Sequence, residues 1–214
     1  MLRIAIADDH ALIRLGLRAI VQDEPDMELV GEAATGRDAI ALCRDLRPDV
    51  LVLDFDLPDI DGLEVTTQLA SAKPCPRILI LTMHDNEEYA IRVLQAGAAG
   101  FVVKDSSSSQ LPDAIRKIAQ GKMFISHEIS EKIALRNLQS KKNTDNLVAL
   151  LSNRELQVLI RIARGLAPKE IAEELCLGYS TVENYKSRIL DKLNLRNNSD
   201  ITRFAIRNQL INDS

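Results

Sequence analysis

At 214 residues, 46% hydrophobic but only 3% aromatic and without Trp, the chain can build two small domains or one large one, each with an aliphatic core. Cys43, Cys75 and Cys176 are too few and too scattered for a disulfide frame or a zinc site, and no stretch suits a signal segment or membrane span, so a soluble protein of the reducing cytoplasm with no membrane partner is expected. The net charge of −4 hides an asymmetry: residues 1–124 carry 13 Lys and Arg against 20 Asp and Glu, residues 125–214 carry 14 against 11, and the basic half is the candidate for nucleic acid.

In chain order, apolar runs at 4–7, 28–30, 50–53, 78–81 and 101–103 read as five strands. They alternate with helical patterns at 12–21, 36–46, 63–70, 87–96 and 111–119. Near-continuous Val, Ile and Leu runs fit strands covered on both faces, so an α/β fold with a parallel, doubly wound sheet is predicted for residues 1–124. An amphipathic helix follows at 126–138, then residues 139–146 contain no apolar side chain, so 125–149 reads as a linker with one helix. From 150 to 214 the pattern is all-α, with helices at 154–164, 169–175, 180–193 and 200–208.

Four of the strands end on polar groups: Asp8 and Asp9, Asp54, Thr82 and Lys104. Open parallel sheets bind ligands just beyond the carboxyl ends of their strands, so these residues are expected to meet. Three carboxylates around one point repel one another unless a divalent cation is present, and hard oxygen ligands with room for phosphate oxygens suit Mg²⁺. Lys104 adds a point charge and Thr82 a hydroxyl donor, both suited to a phosphoryl group, with Asp54 as nucleophile. Singly, each residue has a plainer reading as a helix cap, a strand Thr or a solvated Lys; the combination is what points to chemistry.

The segments 6–10 (Ile-Ala-Asp-Asp-His) and 53–62 (Leu-Asp-Phe-Asp-Leu-Pro-Asp-Ile-Asp-Gly), with Leu81-Thr82 and Lys104, resemble the receiver domain of two-component response regulators. That resemblance implies a flavodoxin-like strand order 2-1-3-4-5 and phosphorylation of Asp54 by a sensor histidine kinase. It implies Mg²⁺ on Asp9, Asp54 and the backbone carbonyl of Asp56, with Asp8 supporting the metal site, and Thr82 and Lys104 on the phosphoryl oxygens. It also implies a switch in which Thr82 moves and Phe101 follows; plain core is the alternative for Phe101, which lacks a hydroxyl and acts sterically. Asp56 and His84 are candidates for tuning the lifetime of the acyl phosphate, against the plainer reading of solvated rim residues. Beyond accepting the phosphoryl group and hydrolysing it, no enzymatic activity is expected.

In the C-terminal part, 171–175 and the helix opened by Thr181 read as a helix-turn-helix, with Val182, Ile189 and Leu193 inward. The outward side chains Glu183, Asn184, Ser187 and Arg188 can address base edges, and Lys186, Lys192, Arg196, Arg203 and Arg207 the phosphates. The plainer reading is a helical bundle with a solvated face. The segments 151–159, 169–172 and 181–185 resemble the LuxR-type DNA-binding domain, joined to a receiver as in NarL/FixJ regulators. Three positions depart from that pattern: Cys176 in the turn, Gly178 at the helix cap, and Glu183 where a basic residue is common. The resemblance implies a transcription regulator of double-stranded DNA, dimeric on phosphorylation, with RNA polymerase a further candidate partner. Ile201, Phe204 and Ala205 of the last helix, or the receiver, are candidates for the dimer contact. Two rivals stand: an aspartyl-nucleophile phosphatase of haloacid-dehalogenase type, disfavoured because Asp8 and Asp9 precede the nucleophile strand, and a phosphorylation-independent DNA-binding protein.

Overall fold

The computed structural model describes residues 1–214 except 73, 84, 105–106, 140–146, 176, 209 and 212–214, and leaves undescribed the side chains of 107–109, 136–139 and 149. His84, Cys176 and all but the first residue of the apolar-free linker segment therefore lie outside the described residues. The chain divides into two compact units, Met1–Arg136 and Asn137–Ser214.

In the first unit, β1 (Leu2–Ala7), β2 (Met27–Ala33), β3 (Val50–Asp54), β4 (Arg77–Thr82) and β5 (Gly100–Val103) alternate with α1 (Ala11–Gln22), α2 (Gly36–Leu46), α3 (Gly62–Ala70), α4 (Glu87–Gln95) and α5 (Ser107–Ala119). A short β6 (Phe124–Ile125) and α6 (His127–Gln139) follow. All strand pairs are parallel, in the order β2-β1-β3-β4-β5-β6. Sequence periodicity found five strands; the sixth is two residues long, too short to show a period, and its register against β5 pairs Phe101 with Ile125. Residues 125–136, read from sequence as linker, cluster with the first unit.

Ile4 and Ile6 of β1, Val50 and Val52 of β3, and Leu79 and Leu81 of β4 pack on Leu17 and Val21 of α1 and Leu111, Ala114, Ile115 and Ile118 of α5. The alternate residues Leu51, Leu53, Ile78, Ile80 and Phe101 are equally buried on the other face, where α2, α3 and α4 lie side by side. Both faces are covered, which is why the strands are apolar throughout. β2 is longer than its apolar run because it is an edge strand: Glu28 is exposed, Glu32 is half-buried and paired with Arg18 of α1, and a bulge at Val30 shifts the register between Ile4 and Ala5.

Side-chain caps start the helices where the sequence turns: Thr35, Asp61 and Asn86 accept from the backbone N–H of Asp38, Glu64 and Glu88. Asp59 fastens the loop after β3 to the start of α2, accepting from Gly36 and Arg37 N–H at 2.7 and 3.1 Å.

The second unit holds a 3₁₀ turn (Leu147–Leu150) and α7 (Asn153–Ala163), α8 (Pro168–Glu174), α9 (Tyr179–Leu193) and α10 (Asn198–Arg207). Ser152 and Glu155 form a reciprocal capping box at α7. α7 packs on α9 and α10, and Leu156, Leu159, Ile171, Val182, Ile189 and Ile201 are buried.

Candidate functional site

β1 and β3 are neighbours in the sheet, so the acids that follow them in sequence converge at its carboxyl edge. Asp8 and Asp54 are buried, at 1% and 3% exposure, while Asp9 lies at the rim with its side chain 32% exposed. Lys104, at the end of β5, reaches back to both buried acids: its Nζ lies 2.7 Å from Asp8 Oδ2 and 2.8 Å from Asp54 Oδ2. Oxygen or nitrogen atoms of Asp8, Asp9, His10 and Asp54 all lie within 4.8 Å of one another. Thr82 and Phe101 are fully buried at the ends of β4 and in β5.

Local packing explains why the Asp54 backbone is so closely held. The Gly62 N–H donates to Phe55 O at 2.8 Å. A Cβ on Gly62 would lie 2.9 Å from both Asp54 O and Phe55 Cα, so only glycine lets α3 start this close to the site. Asp56 sits in that loop, its N–H 3.4 Å from Asp54 Oδ1.

Charge at the site is unbalanced. Burial pushes the Asp54 carboxyl up to about 6; Lys104 opposes the shift, and the negative charges of Asp8 and Asp56 add to it. For Lys104, burial works against the ammonium, but Asp54 and Asp8 outweigh it and its pKa is raised. The two shifts differ in origin: burial dominates at Asp54, whereas the neighbouring carboxylates dominate at Lys104, the one buried ammonium facing both Asp8 and Asp54 among the described residues. Among the described residues, Asp8 Oδ2 is buried with its ion pair to Lys104 as its polar contact and no hydrogen bond. A hard, oxygen-seeking cation fits this donor set.

Two neighbours had no assigned role in the sequence reading. His10 Nδ1 lies 2.6 Å from Asp9 Oδ1, and His10 N–H donates to Asp8 Oδ1 at 2.8 Å. Arg14 donates to the carbonyl of Asp8 at 2.6 Å. The contiguous Asp8-Asp9-His10 triplet was the available signal for the first; a contact to a backbone carbonyl leaves none for the second.

In the second unit, α8 and α9 form the helix-turn-helix. Val182, Ile189 and Leu193 are buried, and Asn184, Ser187, Arg188 and Asp191 form an exposed stripe at i, i+3, i+4 and i+7. Thr181 and Glu183 are half-buried beside it. Glu183 lies 3.8 Å from Lys186, which partly offsets its charge. Gly178 caps α9 without a side-chain bond. Arg188 makes no ion pair with any described residue, whereas Lys192, Arg196 and Arg203 are engaged internally. Lys192 bonds Glu155 at 2.7 Å and Leu150 O at 3.2 Å, and Arg196 and Arg203 both bond Asp200. Of the dimer-contact candidates on α10, Ile201 and Ala205 are fully buried, whereas Phe204 is half-buried.

Two family descriptions match the chain: the response regulator receiver domain over residues 4–116 and the bacterial regulatory proteins of the luxR family over residues 149–205. The chain is a LuxR-type response regulator. Among similar proteins, response regulator UvrY of Escherichia coli K12 is 37% identical over 99% of this chain and 97% of its own length. Oxygen regulatory protein NreC of Staphylococcus epidermidis is 37% identical over 98% and 99%. A solved structure of two RcsB dimers bound to two parallel DNAs is 26% identical, covers 95% of this chain and 96% of that one, and superposes with a TM-score of 0.59. This response regulator thus combines a receiver domain and a DNA-binding domain in a two-component system, with transcription as its output.

Proposed function

We propose that Asp54 accepts a phosphoryl group from a sensor histidine kinase in the cytoplasm and that this controls binding of the second domain to double-stranded DNA. The functional domains are 1–124 and 150–214, joined through 125–149. The observation that carries the reading is the buried Asp54 with Oδ2 held by Lys104 at 2.8 Å, beside Asp8 and Asp9.

Mg²⁺ is the cation the donor set fits: Asp9, Asp54 and the backbone carbonyl of Asp56 would hold it, with Asp8 in support. When bound it neutralises the excess carboxylate charge and that of the incoming phosphoryl oxygens. Lys104 occupies Asp54 Oδ2, so Oδ1, which among the described residues receives a long 3.4 Å contact from Asp56 N–H, is the attacking oxygen. The new P–O bond forms as the P–N bond to the kinase histidine breaks, and the imidazole leaves with the bond's electron pair. Lys104 and the Thr82 hydroxyl then hold phosphoryl oxygens, and Phe101 follows Thr82 as a steric switch. Asp56 stands where attacking water would approach the acyl phosphate.

On DNA, Asn184, Ser187 and Arg188 face base edges, with Thr181 and Glu183 flanking them and Lys186 at the backbone. Lys192, paired with Glu155, supports α9 and reaches phosphate only by leaving that pair. One short recognition helix reads few base pairs, so a homodimer on two half-sites is the expected form. The dimeric, DNA-bound state of the RcsB structure supports this. RNA polymerase is a candidate partner at the promoter.

The test is phosphoryl incorporation from a small phosphodonor with Mg²⁺, wild type against Asp54→Asn, followed by DNA binding of both. One stable equivalent on the wild type and none on the variant is expected. An unlabelled wild type overturns the phosphoacceptor role, and multiple turnover of a phosphate ester would indicate a phosphatase.

A further inference from the structure

α6 is fastened to both segments that the proposed switch sets in motion. At its leading end, Ser126 N–H donates to Phe101 O at 3.0 Å, and Ile125 pairs with Phe101 in the sheet. Further along the same helix, Lys132 Nζ lies 2.7 Å from both the backbone carbonyl and Oδ2 of Asp85. Asp85 belongs to the loop between Thr82, which ends β4, and Glu87, which begins α4. Between the two ties, Ile129 is fully buried. The chain then runs from α6 into the second compact unit, which starts at Asn137.

An ion pair between exposed side chains contributes little by itself. Here one ammonium binds a carboxylate and a carbonyl of the same residue, so both bonds are good at one position of the loop and both lengthen together when the loop moves. Such a contact discriminates between two arrangements, which is the physical requirement for coupling.

We propose that Lys132 and Asp85 form a clamp made only in the unphosphorylated arrangement: it holds α6, and with it the tether of the DNA-binding domain, until phosphorylation of Asp54 draws Thr82 and its loop away. This rests on the phosphoacceptor reading above. A contact present in one state biases the equilibrium toward that state, and linkage makes the effect reciprocal. Removing the clamp therefore favours both phosphoryl binding and DNA binding.

The test uses the full chain with beryllofluoride and Mg²⁺ as a stable phosphoryl mimic, titrated calorimetrically. Lys132→Ala is expected to tighten beryllofluoride binding by about threefold, and DNA binding of the unmodified chain by a similar factor, on the scale of a weak ion pair. Asp85→Ala, which keeps the backbone carbonyl contact, should tighten it in the same direction by no more than Lys132→Ala does, and the double variant no more than Lys132→Ala alone. Amide hydrogen exchange over residues 129–136 should quicken in the wild type with beryllofluoride and in Lys132→Ala without it. Lys132 and Asp85 are 38% and 67% exposed, so neither change disturbs the core, and unaltered thermal unfolding checks this. Equal beryllofluoride affinities of wild type and Lys132→Ala, or additive effects of the two single changes, overturn the clamp alone. A wild type that does not bind beryllofluoride, like its Asp54→Asn control, removes the phosphoacceptor reading and the clamp together.

Discussion

Among the described residues Lys104 is the one cation that reaches both buried carboxylates of the site, and that makes it the most sensitive residue there after Asp54. Lys104→Met removes a charge-assisted contact of roughly 1.5–3 kcal/mol, so phosphoryl incorporation is expected to fall at least about tenfold in a labelling time course. An unchanged rate would show that Lys104 only balances charge. In the proposed DNA-bound form Glu183 would bring a carboxylate near the phosphates, and its partner Lys186 is 3.8 Å away, too far to neutralise it fully. Glu183→Ala is expected to change site preference in a binding assay across a panel of DNA sequences; an unchanged ranking would remove Glu183 from base reading. Asp8, Asp9, Asp54, Thr82 and Lys104 were legible in the sequence because each ends an apolar run. The tie of Lys192 to Glu155, and of Arg196 and Arg203 to Asp200, was not, because a basic residue facing DNA and one paired within its own domain look the same in a sequence.

Among the elements, the start of α3 and the start of α7 are the most constrained. Gly62→Ala places a Cβ about 2.9 Å from Asp54 O, so overpacking of roughly 1–3 kcal/mol is expected. A lowered denaturant midpoint together with slower labelling would bear this out; a wild-type midpoint would mean the loop yields. At α7, burial alone would raise the pKa of Glu155, but Lys192 and the Ser152 backbone and hydroxyl hold it below its ordinary value of 4.5. Its ionised form therefore stabilises the domain above about pH 4.5, and that contribution is lost as pH falls through the depressed folded value. Glu155→Gln is expected to lower the thermal midpoint at pH 7, with the gap closing toward pH 3; a constant gap would contradict it. Element existence was readable from periodicity, whereas β6 is too short to show a period and the first turn of α5, at Ser107–Gln110, has no apolar residue to announce it.

At the scale of the whole chain, each compact unit has its own buried core, and the boundary between them falls at Arg136 and Asn137. A fragment of residues 1–136 is expected to fold alone and accept a phosphoryl group. A fragment of residues 137–214 is expected to fold and bind DNA irrespective of phosphodonor. Circular dichroism and the labelling assay check the first, and gel shift the second. A first fragment ending at residue 124 should be less stable, since it loses the edge pairing of Ile125 with Phe101 and the buried Ile129.

The sequence by itself determined the two-part organisation, the parallel sheet and the acids at its carboxyl edge, because strand and helix periods are local properties and a residue that ends a buried strand must emerge at the sheet's rim. Only the tertiary structure decided which charges are paired with one another: Lys104 with Asp8 and Asp54, Lys192 with Glu155, Lys132 with Asp85. These pairs join residues 37 to 96 positions apart. Their formation depends on how packed elements aim long, flexible side chains, which no local pattern encodes.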